Sequence, residues 1–226
     1  MTEGKNGFMD KENTTAQPPF ERITPPSAGT MACKRAFDMV CSFLGLAILS
    51  PILLTVSVLV GVSSPGGVFF RQVRIGKDGR PFRIFKFRSM RKDNVGLKIT
   101  TGNDSRITPV GRFLRKSKID ELPQLINVLV GDMSFVGPRP EVADYVDLYT
   151  PYQRQVLQVR PGITGLASIR FRNENDLLTA SSDPNRTYIE KIMPRKIELD
   201  LEYIPHASVF YDIKLIFQTF AVVIKE

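Results

Sequence analysis

An uncharged stretch near the N-terminus constrains this chain more than any other feature. No charged residue occurs from Met39 to Phe70, and its apolar part, Met39–Val62, is long enough for a helix to cross the hydrocarbon core of a bilayer. Pro51, preceded by Ser50, lies near the middle. Proline removes a backbone donor and bends a helix, and a serine hydroxyl can bind the carbonyl that is left free. The stretch therefore predicts either a kinked spanning helix or a helix–break–helix hairpin that enters and leaves one leaflet.

The charges on both sides of this stretch bear on that choice. Lys34 and Arg35 precede it, and Arg71, Arg74 and Lys77 follow it. Because basic residues tend to stay on the cytoplasmic side of a membrane, the flanks place both ends of the stretch in the cytoplasm. A re-entrant hairpin satisfies this and the Ser50-Pro51 break, but the residues alone leave the spanning helix open.

Composition limits the kinds of site that the chain can build. It has 226 residues, one histidine, His206, and two cysteines, Cys33 and Cys41, which disfavours a disulfide scaffold, a His-rich zinc site and a Ser-His-Asp triad. The net charge is +8, and residues 71–116 hold 14 Lys/Arg against three acidic residues. So basic a segment favours an anionic partner: nucleic acid, an anionic bilayer or a phosphorylated substrate.

The patterning predicts an α+β fold that is mostly helical with a small β-hairpin. The hairpin covers Gly66–Met90, with its turn at Gly76–Gly79, and residues 1–31 read as a flexible tail. The expected helices are Pro109–Leu114, Asp120–Val130 with Pro123 in its first turn, Tyr145–Val159, Arg186–Tyr203 and Tyr211–Ile224. The last of these is predicted to be either a core helix or an amphipathic helix in the membrane interface.

Two adjacent carboxylates, Asp120 and Glu121, are the sharpest chemical signal. At a helix start their ordinary role would be capping. The cations around them indicate a phosphate site instead; they are Lys86, Arg88, Arg112, Arg115 and Arg139. Carboxylates there would repel the ligand unless they bind a divalent metal or attack phosphorus themselves.

Several motifs, in this order, resemble the bacterial sugar transferase family, the monotopic phosphoglycosyl transferases. They are the Ser50-Pro51 break, Lys86–Met90, Asp120–Leu125, Gly131–Glu141, Pro161–Gly165, and the ending Leu201–Tyr203 with Asp212–Lys214 and Thr219. The resemblance covers about residues 32–224, and the combination is specific. It is to the minimal catalytic form, without a large N-terminal transmembrane region.

The resemblance implies a magnesium-dependent reaction in two steps. Asp120 would attack the β-phosphate of a UDP-sugar and expel UMP, and polyprenyl (undecaprenyl) phosphate would then take the phosphosugar. Glu121 would help to hold Mg²⁺ or act on the acceptor phosphate, and the cations named above would neutralise phosphate charge. Pro138, Pro140 and Arg172 would shape the nucleotide and sugar site.

The resemblance also implies the place of the chain in the cell. Residues 32–66 would form a re-entrant membrane helix hairpin, and residues 67–226 a catalytic domain on the cytoplasmic face of the bacterial inner membrane. Its partners would be the UDP-sugar, polyprenyl phosphate and the bilayer, with no nucleic acid. A homodimer is left open, as are the sugar and the glycan pathway.

Two other interpretations remain. A membrane-anchored basic adaptor, binding anionic lipid or nucleic acid without catalysis, would explain the charge and the apolar stretch. It would not explain paired carboxylates within the basic part of the chain. An enzyme that transfers the phosphosugar directly, without a covalent intermediate, is equally compatible with the sequence.

Overall fold

The computed structural model describes residues 21–63, 66–91 and 106–224. Most of them are helical, as predicted, and the strands form two small sheets. The helices are α1 (Ala28–Ser63), α2 (Pro109–Lys116), α3 (Gln124–Val130), α4 (Ala143–Val146), α5 (Leu166–Arg170), α6 (Glu174–Thr179), α7 (Pro184–Thr187), α8 (Met193–Tyr203) and α9 (Val209–Ile224). The strands are β1 (Phe69–Ile75), β2 (Pro81–Phe87), β3 (Ser134–Val136) and β4 (Gly162–Thr164). Short 3-10 segments cover Lys77–Gly79, Ile119–Glu121, Gln153–Gln158 and Ile204–His206, and a π-helical turn covers Tyr188–Ile192.

Helix α1 is long and apolar enough to cross a membrane by length and composition. It runs through Pro51, so helical structure continues where the sequence predicted a break. The reason is local: proline cannot donate to the carbonyl of Ala47, and the Ser50 hydroxyl donates to that oxygen instead, at 2.8 Å. A spare hydrogen-bond acceptor inside an apolar helix is thereby satisfied.

Both ends of α1 pack against the same globular domain. Near the start, the buried Lys34 ammonium donates to Ser134 Oγ and pairs with the buried Asp212 of α9. Near the end, Val56 and Val60 are buried in a cluster with other apolar side chains of β2 and α2, Phe87 and Leu114. The domain therefore contacts α1 near both of its ends.

The segment before α1 is attached to this domain as well. The Gln155 side chain accepts from the Ile23 amide at 2.7 Å and donates to the Glu21 carbonyl at 3.1 Å, as a neighbouring strand would. Helix α1 begins at Ala28, ahead of the predicted boundary at residue 32. Within the predicted tail, residues 21–31 thus have defined contacts, and residues 1–20 lie outside the described part of the chain.

The predicted β-hairpin is confirmed. Strands β1 and β2 pair antiparallel, with Phe69 opposite Phe87 and Ile75 opposite Pro81. The turn needs two residues with positive φ, and Asp78 and Gly79 supply them at 56° and 74°. The strands' alternation directs Ile84 to a buried cluster with Val128 and Met133, so β2 is fixed against α3.

Two predicted helices are interrupted, each at a proline. The helix expected over Asp120–Val130 is a 3-10 turn, Ile119–Glu121, followed by α3, and Pro123 lies directly before α3. Because proline has no N–H, the first turn cannot extend back through it with regular bonds. The helix expected over Tyr145–Val159 is likewise divided into α4 and the 3-10 segment Gln153–Gln158, on either side of Pro151.

A second, parallel pair of strands was not predicted. Strands β3 and β4 pair through Ser134–Gly162 and Val136–Thr164. The chain segments that continue from them approach backbone to backbone: a Cβ at Gly162 would lie 2.1 Å from the nitrogen of Gly137. Only glycine fits at this contact. The loop that follows β3 is therefore held next to the loop that follows β4.

The C-terminal helix is amphipathic. Asp212 and Leu215 are buried against the domain, whereas Phe210, Phe217 and Phe220 are exposed by 61% or more of their surface. One face of α9 therefore packs in the core, and the other face exposes aromatic side chains.

Candidate active site

The two carboxylates lie on the 3-10 turn between α2 and α3. Lys118, directly before the turn, has φ 58° and ψ 12°, a left-handed conformation that non-glycine residues seldom adopt. This residue reverses the chain so that Asp120 is buried and Glu121 faces β2. Strained backbone of this kind is held only where packing enforces it, and it is frequent at functional sites.

Glu121 is neutralised by cations. Its Oε1 lies 2.7 Å from Lys86 Nζ and 3.9 Å from Arg139 Nη2. Burial by itself would raise the pKa of Glu121, but Lys86 and Arg139 outweigh burial and lower the pKa to about 2. Glu121 is therefore a carboxylate throughout the physiological pH range, and its charge is already paired.

Asp120 differs from Glu121 in its partners and in the direction of its pKa shift. Its Oδ1 is buried and has no hydrogen-bond partner. Burial, and then the negative charge of Glu121, raise the pKa of Asp120 to about 6, although Lys86 and Arg115 oppose the rise. Asp120 is thus mostly ionised near neutral pH and carries an oxygen that no protein group occupies. These are the properties that a nucleophile or a metal ligand requires.

The structure brings some of the predicted phosphate-binding residues together and not others. The pKa of Glu121 is lowered by Lys86 and Arg139, and the rise in the pKa of Asp120 is opposed by Lys86 and Arg115. The Arg115 guanidinium also lies 3.5 Å from Met90 Sδ. Arg112 is exposed on α2, and Arg88 directs one nitrogen to the carbonyl of Phe69, at 3.4 Å.

The predicted nucleotide and sugar residues are also separated. Pro140 lines both a small cleft beside the dyad and a second pocket behind the same loop, whereas Pro138 lines the second pocket and not the cleft. Arg172 instead donates to the carbonyl of Val222, in the last turn of α9. Its contact in this structure is therefore with a helix C-terminus, where cations are stabilising.

Arg74 is a residue of the site that sequence reasoning missed. Together with Lys86, Arg139 and Gln124, it lines the cleft beside the dyad. Its guanidinium donates to the carbonyl of Pro140 at 3.1 Å. From the sequence, Arg74 was interpreted only as a membrane-flanking charge. The signal that could have identified it is its position in the hairpin, where the alternation of the strands puts it on the same face as Lys86.

Glu141 links this arginine to the rest of the domain. It accepts from Arg74 at 3.4 Å through one oxygen and from the Tyr188 hydroxyl through the other. Its carbonyl accepts from the Ile75 amide at 2.8 Å. The loop Pro138–Glu141 is thereby joined to both the hairpin and the π-helical turn.

The dyad offers one oxygen that a hard cation could use as a ligand. No group of three or more His, Cys, Asp or Glu side chains that could hold a metal occurs within residues 21–63, 66–91 and 106–224. The partnerless Asp120 oxygen can supply one ligand, and phosphate oxygens of a substrate would have to supply others, as is common for Mg²⁺. Glu121 already faces two cations and is the less available ligand.

Comparison with known proteins assigns the chain to a family. The model of the bacterial sugar transferases matches residues 29–226. A UDP-glucose:undecaprenyl-phosphate glucose-1-phosphate transferase of Escherichia coli is 44% identical over 206 residues, which are 87% of this chain and 41% of that protein. A UDP-N-acetylgalactosamine-undecaprenyl-phosphate N-acetylgalactosaminephosphotransferase of Aeromonas hydrophila is 39% identical over 191 residues, covering 82% of this chain and 42% of the relative.

These two relatives are much longer than the region they share with this chain, which spans about two fifths of their length. The exopolysaccharide production protein PSS of Rhizobium leguminosarum is 40% identical over 201 residues, and there the match covers 84% of this chain and 94% of the relative. The match of the family model over nearly the whole described structure, with these relatives, settles the assignment. The chain belongs to the bacterial sugar transferase family.

Proposed function

We propose that this protein transfers a sugar-1-phosphate from a UDP-sugar to polyprenyl phosphate, with polyprenyl-diphospho-sugar and UMP as products. The observation that carries the proposal is the buried, partnerless oxygen of Asp120 next to cations that can bind phosphate. The names of the relatives support it, since the Escherichia coli and Aeromonas hydrophila proteins both act on a UDP-sugar and undecaprenyl phosphate.

In the first step an Asp120 oxygen attacks the β-phosphorus of the UDP-sugar. The bond between the β-phosphorus and the bridging oxygen breaks, and UMP leaves with the electron pair. Two anions must approach each other for this, so Lys86 and Arg139, which are already fixed by Glu121, offset the repulsion. Arg74, lining the same cleft, adds a third positive charge.

In the second step an oxygen of polyprenyl phosphate attacks the same phosphorus. The bond to Asp120 breaks, and the carboxylate is restored as the diphosphate forms. Because Glu121 is held by Lys86 and Arg139, it keeps these cations in place through both steps rather than exchanging protons itself.

Magnesium fits this chemistry. When bound at the Asp120 oxygen and the substrate phosphates, Mg²⁺ would screen their charge and polarise the attacked phosphorus. We expect turnover to stop in excess EDTA and to return when Mg²⁺ is restored, whereas full turnover in EDTA would show that the cationic side chains suffice.

We further propose that α1 is re-entrant, which makes the protein monotopic in the inner membrane with its catalytic domain on the cytoplasmic face. Three contacts support this: Gln155 holds the segment before α1, Lys34 ties its start to α9, and Val60 packs its end under β2. A helix that crossed the bilayer could have only one end against a domain on one side. The outward apolar side chains of α1, such as Phe43, Ile48 and Leu54, would face lipid.

The phenylalanines on the outer face of α9 are proposed to lie at the lipid headgroups. An amphipathic helix with aromatic residues on one face is typical of membrane interfaces. The product would be the first lipid-linked intermediate of a glycoconjugate such as an exopolysaccharide, capsule, O-antigen or glycoprotein glycan. Since the relatives named above use different UDP-sugars, the motifs they share do not define the sugar.

The proposed mechanism is tested by mass spectrometry of the intact protein. Enzyme incubated with a UDP-sugar and Mg²⁺, without lipid, should release about one UMP per active site and gain the mass of a phosphosugar on Asp120. Asp120→Asn should show neither, and Asp147→Asn, at an exposed position, should behave as wild type. UMP release only after polyprenyl phosphate is added would establish direct transfer. No release with any UDP-sugar and acceptor would favour a non-catalytic adaptor.

A further inference from the structure

The outer edge of β2 is met by the side chain of Asn127 on α3, while β2 pairs with β1 along its other edge. Asn127 Oδ1 accepts from the Phe85 amide at 2.9 Å, and Asn127 Nδ2 donates to the Arg83 carbonyl at 2.8 Å. A parallel neighbouring strand would bond the two residues on either side of Ile84 in the same pattern. One side chain thus supplies the partners that a further strand would give to this part of the hairpin.

The contact depends on a side-chain amide. An amide carries both a donor and an acceptor, whereas a carboxylate only accepts and a leucine side chain does neither. Asn127 is fully buried, so its loss would take the partners from two backbone groups of β2. Beside it, Ile84 of β2 forms a buried cluster with Val128 of α3. The joint between β2 and α3 therefore has a polar part at Asn127 and an apolar part at Val128.

Both elements of this joint carry a residue of the candidate active site. Lys86 follows Phe85 directly on β2, and the turn that holds the dyad leads into α3. Lys86 Nζ and Glu121 Oε1 are 2.7 Å apart. A lysine side chain has a flexible four-carbon stem, so its ammonium is held more precisely when the backbone at its base is fixed relative to its target. Asn127 provides that connection, because it joins the strand of Lys86 to the helix that follows Glu121.

We propose that Asn127 is a positioning residue for the phosphosugar transfer. Its amide holds β2 against α3, so that the Lys86 ammonium reaches Glu121 and the substrate phosphates. Asn127 acts through Lys86 and is itself buried. The inference rests on the proposed function for its kinetic readout, but the position of the Lys86 ammonium can be measured without any activity. A residue that only stabilised the fold would leave the pair of Lys86 and Glu121 unchanged in the folded protein.

The reactivity of the Lys86 amine measures this pair directly. Only the free amine is acylated, so limiting acetic anhydride should modify Lys86 slowly in the wild-type protein, and faster in Glu121→Gln, as mass spectrometry of its peptides would show. Asn127→Leu has a similar volume but neither donor nor acceptor, and it should be modified several-fold faster than wild type at Lys86. Val128→Ala loosens the apolar part of the same joint and should react as wild type does. Wild-type reactivity in Asn127→Leu, or equal acceleration in Val128→Ala, would overturn the proposal.

A double-mutant cycle tests whether the effect on the reaction passes through Lys86. We expect Lys86→Met to lower kcat/KM for UMP release, per folded protein, about 10²–10³-fold, and Asn127→Leu to lower it about tenfold. The double variant should be no slower than Lys86→Met alone, because a displaced strand has little effect once the ammonium is absent. Losses that multiply would show that Asn127 does not act through Lys86, which would also overturn the proposal.

Hydrogen exchange keeps the test decisive if Asn127→Leu does not fold. The Phe85 amide of the wild-type protein should be protected, although it lies on the outer edge of the hairpin, and rapid exchange there would contradict the inference. Wild-type enzyme that releases no UMP with any UDP-sugar and acceptor would refute the proposed function. The exchange and acylation results would still decide whether Asn127 places Lys86.

Discussion

Burial raises the pKa of Asp120 to about 6, while its chain neighbour Glu121 has a pKa lowered to about 2. The difference arises because Glu121 reaches Lys86 and Arg139, whereas Asp120 turns into the protein and leaves one oxygen without a partner. Adjacent carboxylates whose pKa values are driven apart have distinct roles. In the proposed mechanism, Asp120 would be the group that reacts, and Glu121 would hold the cations in place.

The first prediction concerns pH. Only ionised Asp120 can attack phosphorus, so kcat/KM for UMP release at low Mg²⁺ should rise with pH around a midpoint of about 6. A higher Mg²⁺ concentration should lower this midpoint, because the metal and the proton compete for the carboxylate. Glu121→Gln should lower the midpoint, since it removes the negative charge that raises this pKa. Lys86→Met should raise it. A midpoint that stays put in both variants would show that another group controls the profile.

The second prediction separates stability from activity. In the unfolded chain Asp120 has an ordinary pKa near 3.8, so its raised folded pKa means that stability is lost as pH rises from about 4 to about 6. At neutral pH, Asp120→Asn should abolish turnover yet stabilise the fold by up to about 3 kcal/mol, visible as a higher melting temperature. Asp147→Asn, at an exposed site, should change neither quantity. A lower melting temperature for Asp120→Asn would contradict the costly burial of its charge.

The third prediction grades the cations by position. Lys86→Ala and Arg139→Ala should each reduce turnover about 10²–10³-fold, because they remove preorganised charge at the phosphates. Arg115→Ala removes a charge that opposes the raised pKa of Asp120, so it should reduce turnover more than Arg112→Ala on the exposed face of α2. Arg22→Ala, before α1, should have almost no effect. Similar losses at all five positions would mean that the basic charge works only in bulk.

The fourth prediction concerns topology. In a variant without Cys33 and Cys41, single cysteines at Ser27 and Lys77 should both resist an impermeant thiol reagent in intact cells and react after permeabilisation. Both positions flank α1 and would lie in the cytoplasm. Reaction of only one of them in intact cells would establish a spanning helix. Pro51→Ala restores the donor to the Ala47 carbonyl, and we expect it to increase the spanning fraction.

The features that could be predicted from sequence were those with strong local signals. The hairpin followed from a Gly-Lys-Asp-Gly turn between alternating strands, and the dyad from two acids within a basic segment. The side-chain rescue of the carbonyl freed by Pro51 was also expected from Ser50. In each case, residues close together in the chain determine the structure.

The features that were missed depend on contacts between distant residues. Strands β3 and β4 are three residues each and parallel, so they carry no alternation that periodicity could detect. The contacts of Arg74 with Pro140 and Glu141 join β1 to a loop that lies 66 residues later in the chain, and arginine side chains usually face solvent. Nothing in the local sequence separates Arg74 from an ordinary surface cation.

The hydrogen bond from Ser50 to the Ala47 carbonyl has a mechanical consequence for α1. In an unbroken helix, bending stretches backbone bonds between successive turns, but here that bond is replaced by one within a single turn. At Pro51, α1 therefore lacks one backbone hydrogen bond between successive turns, so the helix bends more easily there than elsewhere. If α1 is re-entrant, as proposed, this point would let the helix bend with the bilayer while the contacts near both its ends keep it attached to the domain.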